Sequence, residues 1–486
     1  MGTGSHAVRW AIIAVPLALA GPTTMAQTAL EQLRAAEAPH FRPGHTLPPL
    51  TRWGWTMPFE VRVELAERWG YALEWGGYAS AEAVQALDDP NSVESRLCAL
   101  TAANPERYPL SVLTVHGDFG ELPAEAWCHA ADGQLPDGQQ VWSPEAPDSI
   151  FEAAAEAWAA PLRQIRERAP IAMVLNGGEY ALSVYGHHGQ YWEQDPQVLA
   201  AKGDRDWYAY ISERKAHQER IISDALRAAV PDRRLYLYYY TDGVPHRNRY
   251  DGWWTWAWGY EWMRPVSDLP NGSIYYLHFN SGWTGDNDML TQALNSVAQQ
   301  IAAGEALSYN WLNAGWKREE LGDRAVSDRE HYMGYLKCYY TAGQIGGVAG
   351  YFSYPGEDDP HWLWQMMVLG QAHALFSHLE EFLRHGDLLP GPDRHRWSQD
   401  LPAYEFPTGD PEARVVVRKH RERDEWLVTA WAAGGEDREV AATIPELGTV
   451  RLLARAGGSV YRATLEGGTP ALKLVDEDGM HPTAGL

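Results

Sequence analysis

The feature that most constrains this chain is an alternation. Between residues 50 and 385, short apolar runs of β type take turns with longer helical segments. The strand-like runs are 50–55, 71–75, 110–116, 171–175, 235–240, 273–279, 306–311 and 348–354. Helical segments between them cover 59–69, 150–168, 207–229, 289–303, 327–341 and 362–385. Several strand runs are continuously β-branched or aromatic, as parallel strands buried on both faces require. Alternating β and α over this length implies a parallel sheet. Eight strands in this span predict an α/β fold of the (β/α)8 TIM-barrel type, with the barrel over residues 49–390. An open doubly wound sheet is the competing arrangement, but no Gly-rich phosphate fingerprint follows the first run.

After Pro390 the texture changes to short strand-like runs, including ARVVVRK, EWLVTAW and SVYRATL, parted by Gly-rich turns. Residues 391–486 are therefore expected to form a small C-terminal antiparallel β-sandwich, an accessory domain whose loops gather no reactive groups. Residues 27–48 read as a lead-in to the barrel. Residues 1–26 combine Arg9, the apolar run WAIIAVPLALAG and the small residues Thr24 and Ala26 ahead of Gln27. That order fits a signal peptide, an uncleaved anchor being the other reading, and predicts a secreted or periplasmic protein with no integral membrane segment after cleavage. Cys98, Cys128 and Cys338 lack close metal-ligand spacing; Cys98 and Cys128 could pair, or all three could be buried thiols.

Charge narrows the partners. A formal net charge of −24 opposes nucleic acid, whose phosphates demand a basic face, and opposes anionic lipid. Neutral polysaccharides and small ligands remain, and oligomeric state is left open.

Active sites of (β/α)8 barrels form where the strands end. Here the runs end in Trp53 and Trp55; Glu74; His116 and Asp118; Asn176, Glu179 and Tyr180; Tyr240 and Asp242. The last three end in His278, Asn280 and Trp283; Asn310 and Trp311; and Tyr354 with Glu357. The stretch DGWWTWAWGYEW after Asp242 sets five tryptophans within ten residues, and Trp254 and Trp256 would share one side of an extended segment. Indole and phenol faces stack on sugar C–H faces, while amides, imidazoles and carboxylates bond hydroxyls. Carbohydrate is the expected substrate, and no metal or cofactor is expected. A site of His116, Asp118 and His278 is the metal-dependent hydrolase or deacetylase alternative, and a non-catalytic glycan-binding barrel is another.

Glycosidic cleavage needs a proton donor and a second carboxylate. Glu179 follows the buried run IAMVL through a Gly-Gly turn and is the expected donor. This Asn176-Gly-Gly-Glu179 sequence resembles the acid/base signature of glycoside hydrolase clan A barrels, in which Asn and Glu are consecutive. The resemblance implies that Asn176 bonds a sugar 2-hydroxyl and that Glu179 is the acid/base. The clan's nucleophile ends strand seven, where this chain reads SYNWLNAGW without a carboxylate. Asp242 or Glu357 is then the expected second catalytic carboxylate, with Asp118 and Glu74 as further options.

Overall fold

The computed structural model describes residues 28–54, 57–114, 117–130, 140–178, 180–182, 189–240, 260–272, 274, 289–315, 329–352, 360–396 and 400–475. Among the described residues of the first part, seven parallel strands occur: β1 (Thr51–Gly54), β2 (Leu73–Ala79), β3 (Leu110–Thr114), β4 (Ile171–Gly177), β5 (Leu235–Tyr239), β6 (Trp311–Gly315) and β7 (Val348–Phe352). They form two sheets, ordered β2-β3-β4-β5 and β1-β7-β6. A parallel bridge from Leu50 to Tyr71 links the edges carrying β1 and β2. At the opposite edges, Tyr240 bridges Gly272, whose carbonyl accepts from Trp311 N at 2.9 Å. Ile274 N donates to Trp311 O at 3.0 Å. The expected strand at 273–279 otherwise lies outside the described residues.

Side-chain alternation sorts the strands into two faces. In β5, Leu237 and Tyr239 join an inner cluster with Trp53, Leu113, Met173, Leu175, Tyr309, Trp311 and Val348. Tyr236 and Tyr238 face the other way, into a helix-side cluster with Val174, Trp158 and Ile222. Across the inner face, Thr51 Oγ1 meets Ser111 Oγ at 2.7 Å, although β1 and β3 do not pair. The helices covering the outer face include Phe59–Arg68, Asp148–Arg168, Trp207–Ala229, Met289–Ala302 and Arg329–Thr341. Burying each large apolar side chain here stabilises by about 1.5–3 kcal/mol.

Several expected boundaries differ, among them the second run, expected at 71–75 and observed as Leu73–Ala79. The sequence predicts the seventh run at 306–311, whereas β6 begins at Trp311; Ser308 instead bridges Gln344, and Tyr309 N donates to Pro270 O. The helix expected over 362–385 is two helices, Pro360–Ser377 and Glu380–His385. The break is gripped by the lead-in: Arg42 N donates to Ser377 Oγ at 2.8 Å, and Thr46 N donates to Glu380 Oε2 at 2.8 Å. The lead-in also forms a helix of its own, Ala29–Ala35, closed by a Thr28/Glu31 capping box.

The C-terminal part has an antiparallel sheet ordered β14-β13-β10-β9-β8 and a two-stranded ribbon, β11 with β12. Its strands are β8 (Gly386–Leu388), β9 (Ala413–His420), β10 (Glu425–Ala432), β11 (Arg438–Ile444), β12 (Gly448–Ala454), β13 (Ser459–Glu466) and β14 (Thr469–Leu474). The sheet and the ribbon share one core, from Val415, Val417 and Trp426 to Ile444 and Leu452. β8 precedes the change of texture at Pro390. The other sheet face continues the core of the first part: Val416, Leu427, Trp431 and Val460 cluster with Tyr332, Leu336 and Phe376. Gly334 makes room for this contact, because a Cβ there would fall on the Trp431 indole. Among the described residues no helix is long and apolar enough to cross a membrane.

Candidate active site

The inner face carries an aromatic layer. Trp53 lies 4.5 Å from Trp311 and 6.0 Å from Tyr239, ring centre to ring centre, and Tyr239 lies 4.4 Å from Trp311. Tyr78 adds an edge contact at 6.1 Å from Trp53. The rings are buried, with 7% exposure for Trp53, 3% for Tyr239 and 1% for Trp311. The Trp311 indole donates to Asn271 Oδ1 at 3.1 Å. Trp53 and Trp311, both expected to touch substrate, thus form a packed layer on the inner face of the strands.

A polar network lies behind the end of β4, between that strand and the helix Trp207–Ala229. Gly178 follows β4 directly, and its N–H donates to Tyr239 O at 2.9 Å. A Cβ at Gly178 would collide with that carbonyl and with the Tyr238 phenol, so only glycine permits this approach. Lys215 Nζ donates to Tyr180 O at 2.9 Å, to Gly178 O at 3.4 Å and to Glu219 Oε1 at 2.6 Å. These three bonds use the full donor set of an ammonium. Tyr180 Oη donates to Glu219 Oε2 at 2.8 Å and accepts from Asn176 Nδ2 at 3.0 Å. Thr114 Oγ1 donates to Asn176 Oδ1 at 3.0 Å, and Asn176 Nδ2 also reaches Tyr236 Oη at 3.1 Å.

Lys215 and Glu219 have fully buried side chains. Burial pushes the Glu219 carboxyl up and the Lys215 amine down, each opposed by attraction to the other. Burial, reinforced by the Glu219 charge, raises the Tyr180 phenol well above its usual value, so Tyr180 stays protonated and can donate. Just beyond, Ala181 has φ of +52°, a left-handed conformation that costs a non-glycine residue about 1–2 kcal/mol. Surrounding contacts must hold such a residue in place. Both carbonyls flanking position 179 are therefore tied to one buried ammonium.

The remaining expected site residues divide clearly. Asn176 is fully buried on the outer face, its amide engaged by Thr114, Tyr180 and Tyr236. The sugar-binding role implied for it is thus replaced by an anchoring one. Tyr180 and Tyr240 likewise belong to the outer cluster. Asn310 is buried, accepting from Gly272 N at 2.8 Å and donating to Tyr339 Oη at 2.5 Å. Glu74 is buried and accepts from Arg52 Nε at 2.8 Å. Asp118 is exposed; its carboxylate accepts from Gly120 N, and its carbonyl accepts from the Trp158 indole. Glu179, Asp242, Glu357, Trp55, His116, Trp254, Trp256, His278, Asn280, Trp283 and Tyr354 lie outside the described residues.

Sequence reasoning missed Lys215 and Glu219. Their signal was spacing: on Trp207–Ala229 they share the buried stripe of Ile211, Ile222 and Leu226, where charge is out of place. The three cysteines are free and buried, so Cys98 and Cys128 do not pair, and burial raises the Cys98 thiol to about 11. Among the described residues, no group of three or more His, Cys, Asp and Glu is placed to hold a metal ion.

No protein-family model and no curated protein matches this sequence. Among solved structures, the chain is similar to an alpha-amylase from Lactobacillus plantarum at 12% identity, covering 91% of this chain and 99% of that one, with TM-score 0.44. It is similar to an alpha-amylase from Geobacillus thermoleovorans, complexed with acarbose, at 11% identity over 85% and 86%, with TM-score 0.43. The PgaB (BpsB) glycoside hydrolase domain from Bordetella bronchiseptica is 14% identical over 52% of this chain and 73% of that one, with TM-score 0.34. Similarity at this level leaves the functional reading to rest on the chain's own residues.

Proposed function

We propose that this protein is a glycoside hydrolase acting on a polysaccharide or oligosaccharide, with Glu179 as proton donor. The observation that carries the reading is the braced turn after β4. A buried lysine, a buried glutamate and a tyrosine are spent on fixing the residues on either side of position 179. Buried ionic groups are expensive, and such an investment at the C-terminal end of a parallel strand is what a catalytic side chain needs. The inner layer of Trp53, Tyr239 and Trp311 supports the reading from beneath, as a rigid base for an aromatic-lined mouth. The pairing from β5 through Gly272 to Trp311 supports a closed eight-stranded barrel.

In this reading Glu179 protonates the departing glycosidic oxygen. A second carboxylate, from Asp242 or Glu357, attacks the sugar carbon or activates water. The indoles of 253–258 and the remaining strand-end residues bind the sugar faces and hydroxyls. The protein is exported by residues 1–26, and residues 391–486 serve as an accessory β-sandwich. The test is a panel of poly- and oligosaccharides incubated with the purified protein, with chromatographic detection of products. Released product that survives chelation supports hydrolysis by carboxylates. Saturable binding without product would replace it with a silent binding protein, and loss of activity on chelation with a metal-dependent hydrolase.

A further inference from the structure

We infer that Lys215, Glu219 and Tyr180 form a positioning set that fixes the backbone on both sides of residue 179 and thereby sets the geometry of the proton donor. The inference rests on the reading of Glu179 given above, but its structural half stands on the described residues alone. Lys215 Nζ donates to both carbonyls that flank position 179, those of Gly178 and Tyr180. The same Nζ lies 4.8 Å from the centre of the Tyr180 ring, which adds cation–π attraction. Glu219 divides its two oxygens between Lys215 and the Tyr180 phenol. The Tyr180 phenol is tied in turn to Asn176, which sits in β4 itself. Strand, turn and helix are thus joined by one chain of bonds that links Gly178 and Tyr180 to the helix and returns to β4 at Asn176.

A buried lysine and glutamate four apart on one helix satisfy only part of each other's hydrogen-bonding capacity, and what is particular here is where the remainder goes. Here the ammonium spends its two other donors on backbone carbonyls 35 and 37 residues away in sequence. The carboxylate spends its second oxygen on a phenol 39 residues away. Replacing the pair by apolar residues of similar volume removes the cost of burying its charges but takes a donor from both carbonyls, so melting temperature and local order are read separately. None of the three residues needs to touch substrate; they act through residue 179.

The experiment uses the full chain as Lys215→Met/Glu219→Leu and, separately, as Tyr180→Phe. Melting temperature, amide hydrogen exchange of the peptide spanning 177–182, and steady-state kinetics are measured for each. The kinetic probe is a chromogenic aryl glycoside or panel glycan that the wild-type protein cleaves. Positioning predicts exchange at 177–182 faster by about tenfold or more, beyond what the accompanying fall in melting temperature accounts for. It also predicts a fall in kcat of up to about 10²-fold at little-changed KM, since misplacing a catalytic group costs rate and not binding. Wild-type exchange at 177–182 in both variants overturns the inference, as does faster exchange with unaltered kcat. Should the double variant fail to fold, Tyr180→Phe decides by the same readings, because it removes one hydroxyl and keeps the ring. Normal turnover by Glu179→Gln would overturn the catalytic reading instead, leaving the exchange result to judge the bracing.

Discussion

His373 is fully buried in the helix Pro360–Ser377, facing His45 and Phe41, with its Nδ1 3.0 Å from Tyr340 Oη. Burial, helped by the neighbouring His45, lowers its pKa to about 3, so the folded protein holds it neutral at ordinary pH. The unfolded chain takes up that proton near pH 6.5, so the unfolded state binds more protons as acid is added. Stability from this group is therefore complete above about pH 6.5 and falls by up to about 1.4 kcal/mol per pH unit on the way down to pH 3. Melting curves between pH 7 and 4 check this: His373→Phe should flatten the loss, and parallel curves for variant and wild type would refute it. At the same scale, Trp53→Ala opens a cavity in the inner aromatic layer. Denaturant unfolding should show a loss of about 3–5 kcal/mol, as for large core aromatics generally.

At the scale of elements, Arg418 of β9 joins the two parts of the chain. Its buried guanidinium donates to Phe382 O at 2.8 Å, Leu383 O at 3.2 Å and Thr341 O at 3.4 Å. Arg418→Met strands these carbonyls without donors and should cost about 2–4 kcal/mol, read from urea midpoints. The elements were legible where local pattern and final environment agree. The runs at 171–175 and 235–240 became β4 and β5, and 207–229 became one helix, because alternation and helical spacing there match the two faces actually buried. Pattern failed where distant contacts decide. Nothing local in 362–385 marks a break at His378; the grip of Arg42 and Thr46 does. β8, three residues long, carries no alternation to find. Among site residues, Asn176 was visible, but its direction was not. Only the face assignment along β4 turns its amide away from the inner side and toward Tyr236.

For the whole molecule, the core of the first part runs without interruption into the C-terminal sheet through Val416, Leu427, Trp431 and Val460. Lys337 Nζ donating to Gly458 O at 2.8 Å and the Trp431 ring seated on Gly334 tighten the same contact. The chain should therefore unfold in a single calorimetric transition, and two separate transitions would show that the parts are independent. The measurement that bears most directly on the function is turnover by Glu179→Gln on a glycan that the wild-type protein cleaves, alongside its melting temperature and glycan affinity. Loss of cleavage by about 10²-fold or more, with folding and binding retained, is the predicted result for a missing proton donor. Wild-type turnover in that variant would contradict it.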